Sequence, residues 1–138
     1  MTTRRQIRQL AMQILFAFDA NQSNSFEISR QVSGDSELSG EHQNEAVQWA
    51  NKAWDYRRQA DDWVTRLSPQ WPTLRQPSVD RALLRLCVWE LTHQKTPPKV
   101  VIDEAIEIGR DFSTENSPSF LNGVLDAVLK EIEQSKTA

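Results

Sequence analysis

The residues with the clearest chemical pattern are three arginines near the start of the chain. Arg4, Arg5 and Arg8 lie in the first 18 residues, which contain no acidic residue. Guanidinium groups bind phosphate through paired hydrogen bonds, so a cluster of this kind suits a nucleic-acid backbone. Residues 103–133 carry the opposite charge, with eight acidic and two basic residues. Although the net charge is only −3, this distribution predicts a basic end and an acidic end with separate partners.

Residue types that catalyse reactions or bind metals are present, but they are not grouped. His42 and His93 are far apart, and neither has a cysteine or carboxylate at metal-ligand spacing. Cys87 is the only cysteine and lies in a strongly apolar stretch, which favours a place in the core. No glycine-rich phosphate loop or nucleotide-binding motif occurs. The sequence therefore predicts that the protein is not an enzyme and has no cofactor and no metal site.

The element that must hold the other residues in place is the stretch from Val79 to Leu91. Its apolar side chains point in nearly every direction around a helix, and neither glycine nor proline interrupts it. A helix that is apolar on all sides is buried among other helices. It is too short, and has too many charged residues, to span a membrane. We therefore expect a central helix with the remaining helices packed around it.

The first half of the chain predicts amphipathic helices on either side of a polar loop. Residues 4–20 form an amphipathic helix, residues 26–32 a short one, and residues 33–40 a loop. Residues 41–67 form one long helix, or two with a bend near Tyr56. Three prolines in residues 69–77 then end the helical pattern, and we expect Trp71 and Leu74 to anchor this loop on the core.

The second half predicts two further helices after the central one. In the helix over residues 98–111, the buried stripe continues through Ile108 to Phe112. The last helix extends to about Ile132 and contains Gly123 in its interior. Because glycine costs about 1 kcal/mol in a helix interior, we expect a neighbouring backbone or a ligand to approach closely at Gly123.

Together these patterns predict an all-α protein of six to seven helices. The helices form two small helical bundles, an N-terminal and a C-terminal one, packed around the central apolar helix. We expect a single domain over residues 1–138, with subdomains at about 1–67 and 78–134. A single cysteine, no segment of the signal-peptide kind and no transmembrane span predict a cytoplasmic protein that contacts no membrane.

Three segments carry longer motifs than helical periodicity requires. They are the RRxxRxxAxQxLF pattern from Arg4 to Phe16, the SVDRALLRLCVWEL helix from Ser78 to Leu91, and PPKVVIDEAIEIGRDFSTENSPSFLNGVLD from Pro97 to Asp126. In these segments the chain resembles the NusB family of bacterial transcription antitermination factors. The resemblance is strong over residues 75–126, good over residues 4–20, and thin over residues 21–66.

The resemblance implies a binding protein with no catalytic activity. NusB-like proteins pair with NusE, which is also a ribosomal small-subunit protein, and the pair binds the boxA element of nascent ribosomal RNA transcripts. This binding helps RNA polymerase in the antitermination complex to resist termination. By the match of motifs, the implied RNA-binding residues are Arg4, Arg5, Arg8, Phe112, Asn116 and Phe120, and the implied NusE contacts are Phe16 and Asp80.

Two of these positions depart from the pattern of the family. The family more often has tyrosine at the position of Phe16, so this chain lacks a hydroxyl for a hydrogen bond to NusE. It more often has aspartate at the position of Asn116. An asparagine can donate a hydrogen bond to RNA as well as accept one.

The residues themselves agree with RNA binding but leave alternatives open. RNA recognition combines basic side chains for phosphates with flat groups for unstacked bases, and exposed phenylalanines beside the arginines supply both. In the contrary interpretation, both phenylalanines are core residues and the arginines only keep the terminus solvated. Two other functions also fit: the NusB-like RNA-binding domain of a ribosomal RNA methyltransferase, and an interaction bundle that binds protein alone.

Overall fold

The structure is a computed structural model that describes residues 3–71 and 75–137. In these ranges the chain forms seven helices and no strand, which confirms the predicted fold class. The helices are α1 Thr3–Asn21, α2 Phe26–Gly34, α3 Gly40–Asp55, α4 Arg57–Leu67, α5 Ser78–His93, α6 Pro98–Phe112 and α7 Ser117–Thr137.

The helices of the first half follow from the periodicity of their apolar residues. The buried face of α1 includes Ile7, Ile14 and Phe18, spaced as one stripe of a helix requires. The long pattern over residues 41–67 divides into α3 and α4 at Tyr56, where the bend was expected. Serine side chains accept hydrogen bonds from the first turns of α2 and α3, at Ser25 and Ser39.

Helix α5 is the structural centre. It packs against α1, α3, α4, α6 and α7, so both halves of the chain meet on it. Every residue from Ala82 to Glu90 is buried, including two charged ones. Cys87 lies in the middle of this helix and is fully enclosed, and burial raises the pKa of its thiol.

Two clusters of ion pairs, one buried and one partly buried, fix α1 against α5 in an antiparallel arrangement. Near one end, Arg8 of α1 pairs with Glu90 of α5. Near the other end, Asp19 of α1 pairs with Arg81 and Arg85 of α5. Because each cluster joins specific positions on both helices, the pairs determine the register of α1 along α5.

The C-terminal helices α6 and α7 pack closely on each other and on α5. A Cβ atom added at Gly109 of α6 would lie 2.5 Å from Leu121 Cδ1 of α7, so a glycine allows this close approach. The proline loop differs from its prediction. Trp71 is exposed and contacts the ring of Phe120 instead of anchoring in the core, while Leu74 lies outside the described residues.

Candidate nucleic-acid interface

Arg4 is the most accessible of the three arginines at the start of α1. Its side chain is 62% exposed, and Nη1 lies 2.9 Å from Oε1 of Glu45 on α3. Its guanidinium also lies 5.7 Å from the centroid of the Trp49 ring. An exposed ion pair contributes little free energy, so Arg4 can exchange Glu45 for a phosphate at small cost.

Arg5 is partly exposed and pairs through Nε with Glu104 of α6. Glu104 is largely buried, so this contact holds the guanidinium of Arg5 against the outer edge of α6. One side of the guanidinium thus has a protein partner. Arg4 and Arg5 thus both reach the surface at this end of the molecule, each beside a carboxylate.

Arg8 occupies a different environment from the other two arginines. Its side chain is 3% exposed and forms two hydrogen bonds to Glu90, at 3.0 Å from Nε and 2.6 Å from Nη2. Burial lowers its pKa, but the hydrogen bond and charge of Glu90 outweigh burial and raise it. The remaining nitrogen, Nη1, lies 3.7 Å from Oε1 of Glu104. Because the whole guanidinium is enclosed, Arg8 is not presented to an RNA phosphate, which corrects its assignment to the RNA-binding surface.

The other predicted RNA-binding residues lie around the turn between α6 and α7. Phe112, the last residue of α6, is 40% exposed, so its assignment to the buried stripe was wrong. Asn116 is exposed in the turn. Phe120 is half-buried and meets Trp71 edge to face, with the ring centroids 6.2 Å apart. An amide and aromatic rings therefore share this end of the molecule.

A cavity of about 520 Å³ opens beside Asn116 and Phe120. Trp71 lines it from the proline loop, and Gly123 lines it from α7. A Cβ atom at Gly123 would meet nothing within 4 Å, so the expected approach of a neighbouring backbone does not occur. The other expectation, that a ligand approaches this glycine, stays a prediction. Sequence reasoning missed Trp71 as a wall of the cavity, because it placed this side chain in the core.

Asp80 is almost fully buried at the start of α5, so it does not present its carboxylate to a partner as predicted. Oδ1 accepts a hydrogen bond from the Ser113 hydroxyl at 2.5 Å, and Oδ2 accepts one from the Ser117 hydroxyl at 3.0 Å. These bonds hold the turn that carries Asn116. The other residue predicted for the partner contact, Phe16 on α1, is 42% exposed and remains available at the surface.

The predicted RNA-binding residues thus form two groups at opposite ends of α5. The arginine end, with Arg4, Arg5 and Arg8, is joined to α5 at Glu90. The aromatic end, with Phe112, Asn116 and Phe120, is joined to α5 at Asp80. Ten helical residues separate these two positions, a distance of about 15 Å. The structure brings Phe112, Asn116 and Phe120 together at one end, but it does not bring them into the arginine group.

The fold defines an all-α protein, with arginines at one end and aromatic rings at the other. The model of the NusB family matches residues 5–130. The transcription antitermination protein NusB of Solibacter usitatus is 39% identical over 137 residues, which cover 97% of this chain and 93% of that protein. The chain therefore belongs to the NusB family. The prediction that it is not an enzyme is confirmed by this membership.

Solved structures share the fold over nearly the full chain. The structure of T. maritima NusB has a TM-score of 0.82 and 32% identity, covering 94% of this chain and 92% of that one. A structure of antitermination factors NusB and NusE in complex with dsRNA has a TM-score of 0.83 and 24% identity, covering 95% and 98%. At 24% identity, the match to this second structure shows a shared fold.

The described ranges contain neither a metal-binding group nor a membrane-spanning helix. Among residues 3–71 and 75–137, no three His, Cys, Asp or Glu side chains come together as a metal-binding group. In the same ranges, no helix has the length and apolar character needed to cross a membrane.

Proposed function

We propose that this protein is an RNA-binding transcription antitermination factor that pairs with NusE on boxA-type RNA of ribosomal RNA transcripts. The observation that carries the proposal is a surface with two ends. Exposed Arg4 and partly exposed Arg5 lie at one end, and Phe112, Asn116 and Phe120 lie at the other. Basic groups suit phosphates, and exposed rings suit unstacked bases. Family membership and the complex of a fold relative with NusE and dsRNA support the same function.

The cavity beside Asn116 is the proposed place for an unstacked base. Trp71 and Phe120 offer aromatic surface, and the amide of Asn116 can both donate and accept hydrogen bonds. Gly123 leaves the α7 wall open where a side chain would otherwise project. Phosphates of the same strand would extend toward the arginine end.

The proposed contact with NusE includes Phe16, because an exposed aromatic ring on a helix is a common anchor of a protein interface. Asp80 acts through the turn that it holds, since its carboxylate is enclosed. Through NusE and RNA the protein would join the RNA polymerase antitermination complex, and hence act in the cytoplasm, where transcription takes place. The relatives named above are NusB proteins, which favours the antitermination function over the methyltransferase alternative.

The test is the binding of fluorescent boxA RNA to this protein, measured by anisotropy with and without NusE. We expect binding that is selective over a scrambled RNA, and tighter binding when NusE is present. If NusE binds the protein but RNA affinity does not rise, the alternative of a protein-only interaction bundle is favoured. If boxA and scrambled RNA bind equally in both conditions, the proposal is wrong.

The arginine contribution is tested by a variant that combines Arg4→Ala and Arg5→Ala. Two phosphate contacts to a single strand contribute about −1.4 to the slope of log affinity against log salt concentration, at about −0.7 each. We expect the variant to lose this part of the slope. Arg58→Ala, a change of an exposed arginine on α4, is the matched control and should leave the slope unchanged. A variant with the parent slope would remove the arginines from the RNA contact.

A further inference from the structure

A groove lies on a different part of the surface from the turn and the cavity of the aromatic end. It has a volume of about 580 Å³ and runs between α1 and the segment that joins α2 to α3. Three glutamines of α1 line one wall, namely Gln6, Gln9 and Gln13. They follow one another at spacings of three and four residues, so they form a continuous stripe along the helix.

The three glutamine side chains have no hydrogen-bond partner within the described ranges of the chain. Gln9 and Gln13 are half-buried, so their amides are already partly withdrawn from water. Gln43 behaves differently: its amide donates to the backbone oxygens of Ser36 and Leu38, at 3.2 Å and 2.9 Å, and so orders the opposite wall. The wall formed by the segment between α2 and α3 is thus held by hydrogen bonds, whereas the glutamine amides on the α1 wall form none with the described residues.

The spacing of these amides suits an extended polypeptide. Gln9 and Gln13 are separated by about 6 Å along the helix axis. The backbone of an extended chain presents equivalent polar groups every two residues, about 6.6 Å apart. Because each glutamine amide carries both donors and an acceptor, it can pair with the N–H and C=O groups of such a chain.

The floor and the opposite wall indicate which side chains this polypeptide carries. Leu10, Val32 and Leu38 give the groove an apolar floor. Asp35 and Glu37 are exposed on the wall that faces α1, and neither forms an ion pair with another described residue. These carboxylates attract basic side chains and repel phosphates, which favours a basic protein segment over a nucleic acid.

We propose that this groove binds an extended, basic segment of a partner protein. Alternate side chains of the segment pack on the apolar floor, and the basic ones reach Asp35 and Glu37. The amides of Gln9 and Gln13 hold its backbone. The inference goes beyond the proposed function, because it rests on a different surface and does not require RNA binding.

The experiment uses the full chain, isotope-labelled, and a short synthetic peptide that alternates lysine and valine. Nuclear magnetic resonance observes the side-chain amides of glutamine directly. We expect the peptide to shift the side-chain amide signals of Gln9 and Gln13 and the backbone signals of residues 35–38. A matched peptide that alternates glutamate and valine should shift none of them, because the acidic wall repels it.

Two variants and one control complete the test. Asp35→Asn combined with Glu37→Gln should weaken binding of the basic peptide about tenfold, as expected when two exposed ion pairs are lost. Gln9→Ala combined with Gln13→Ala should weaken it while leaving the folded state intact, since both side chains face the groove. Gln59→Ala, a change of an exposed glutamine on α4, should bind as the parent does.

The proposal is overturned by any of three results. The basic peptide fails to shift the amides of Gln9 and Gln13, or the acidic peptide shifts them equally, or the groove variants bind as tightly as the parent. A single-stranded oligouridine that shifts the same amides more strongly than the peptide would identify the groove as a nucleic-acid site and would also overturn it.

Discussion

At the scale of single residues, the contrast between Arg8 and Arg4 separates a structural arginine from a functional one. Arg8 and Glu90 are both buried and satisfy each other, with side chains that are 3% and 0% exposed. Removing one member of such a pair leaves an uncompensated charge in the interior, which is far more costly than losing an exposed pair. The same residue type therefore has opposite roles at positions four residues apart.

The first prediction concerns this difference. Arg8→Ala should lower the free energy of unfolding by about 3–5 kcal/mol, because Glu90 stays buried without its partner. Arg4→Ala should lower it by less than about 1 kcal/mol, since its ion pair with Glu45 is exposed. Urea denaturation followed by tryptophan fluorescence measures both. Equal effects of the two substitutions would contradict the assignment of Arg8 to the interior.

The second prediction concerns two glycines in neighbouring helices. Gly123→Ala should raise the free energy of unfolding by about 1 kcal/mol, since the new methyl group meets open space and helix propensity improves. Gly109→Ala should lower it by about 1–3 kcal/mol, because Leu121 of the core would have to move. Thermal unfolding of the two variants checks the opposite signs. If both stabilise the protein, the close approach of α6 and α7 is wrong.

Some of this residue chemistry was predictable from sequence and some was not. Arg4, Arg5 and Arg8 were together predicted to form a basic end, because the first 18 residues contain no acidic residue. The structure places Arg4 at the surface and leaves Arg5 partly exposed. Arg8 carries no local sign of burial, since its partner Glu90 is 82 residues away. The available signal was Glu90 itself, a carboxylate in a helix that is buried on all sides and that therefore needs an opposite charge.

At the scale of elements, α5 positions the two candidate binding groups through a buried carboxylate near each of its ends. Glu90 ties its C-terminal part to α1, and Asp80 ties its first turn to the turn between α6 and α7. The position of each candidate binding group therefore depends on a buried carboxylate of the same helix. These carboxylates position the binding residues without facing the ligand.

The third prediction follows from the bonds of Asp80. Asp80→Asn removes one acceptor oxygen and should loosen the turn held by Ser113 and Ser117. We expect faster amide hydrogen exchange at residues 113–117 and weaker binding of boxA RNA, because Asn116 loses its fixed position. Asp103→Asn, an exposed change on α6, is the control and should alter neither. Unchanged exchange in the Asp80 variant would show that the turn holds itself.

The fourth prediction concerns acid stability of the contact between α1 and α5. Burial alone would raise the pKa of Asp19. The hydrogen bond and charge of Arg81 and the charge of Arg85 have a larger, opposite effect, so the pKa lies below its ordinary value of 3.8. Because the pKa of Asp19 is lower in the folded chain than in the unfolded chain, its ion pairs stabilise the folded state fully above pH 3.8. This stabilisation is lost as the pH falls through the folded pKa. Asp19→Asn should therefore be less stable than the parent at neutral pH.

The measurement is urea denaturation of both proteins over a range of pH. The difference between the parent and Asp19→Asn should stay constant from neutral pH to about pH 5, and should shrink below about pH 4. A difference that persists unchanged in acid would mean that the charge of Asp19 does not stabilise the pair with Arg81.

The elements themselves were largely predictable, because their signals are local. Apolar periodicity indicated the helices, and the prolines around residues 69–77 and 97–98 separated them. The bend at Tyr56 also followed from the pattern. The exposure of Phe112 at the end of α6 did not, since the apolar stripe continues into this residue although the chain leaves the core there. Periodicity identifies a helix face but not the place where the neighbouring helix ends.

At the scale of the whole molecule, the arginine end and the aromatic end are about 15 Å apart on one rigid helix. Arg4 and Arg5 pair with Glu45 and Glu104, whereas Trp71, Asn116 and Phe120 line the cavity at the aromatic end. The sequence placed arginines and phenylalanines in one predicted surface, because it contains no measure of this distance. An RNA strand that contacts both groups has to span the length of α5.

The fifth prediction follows from this separation. Substitutions at sites more than about 7–10 Å apart without shared partners have additive effects, within about 0.5 kcal/mol. Arg4→Ala and Phe120→Ala should therefore reduce the free energy of boxA binding independently. A double-mutant cycle, measured by anisotropy at fixed salt, tests this. A coupling energy above about 1 kcal/mol would mean that both residues contact the same nucleotide.

Because Cys87 is completely enclosed, the reaction of its thiol with a labelling reagent reports unfolding of the chain. The thiol lies at the centre of α5, and its raised pKa keeps it protonated and unreactive while the helix is packed. Because the chain has no other cysteine, a maleimide reagent can react only when α5 leaves the core. The labelling rate in the native protein thus measures how often the helix that joins both halves is released, without any introduced probe.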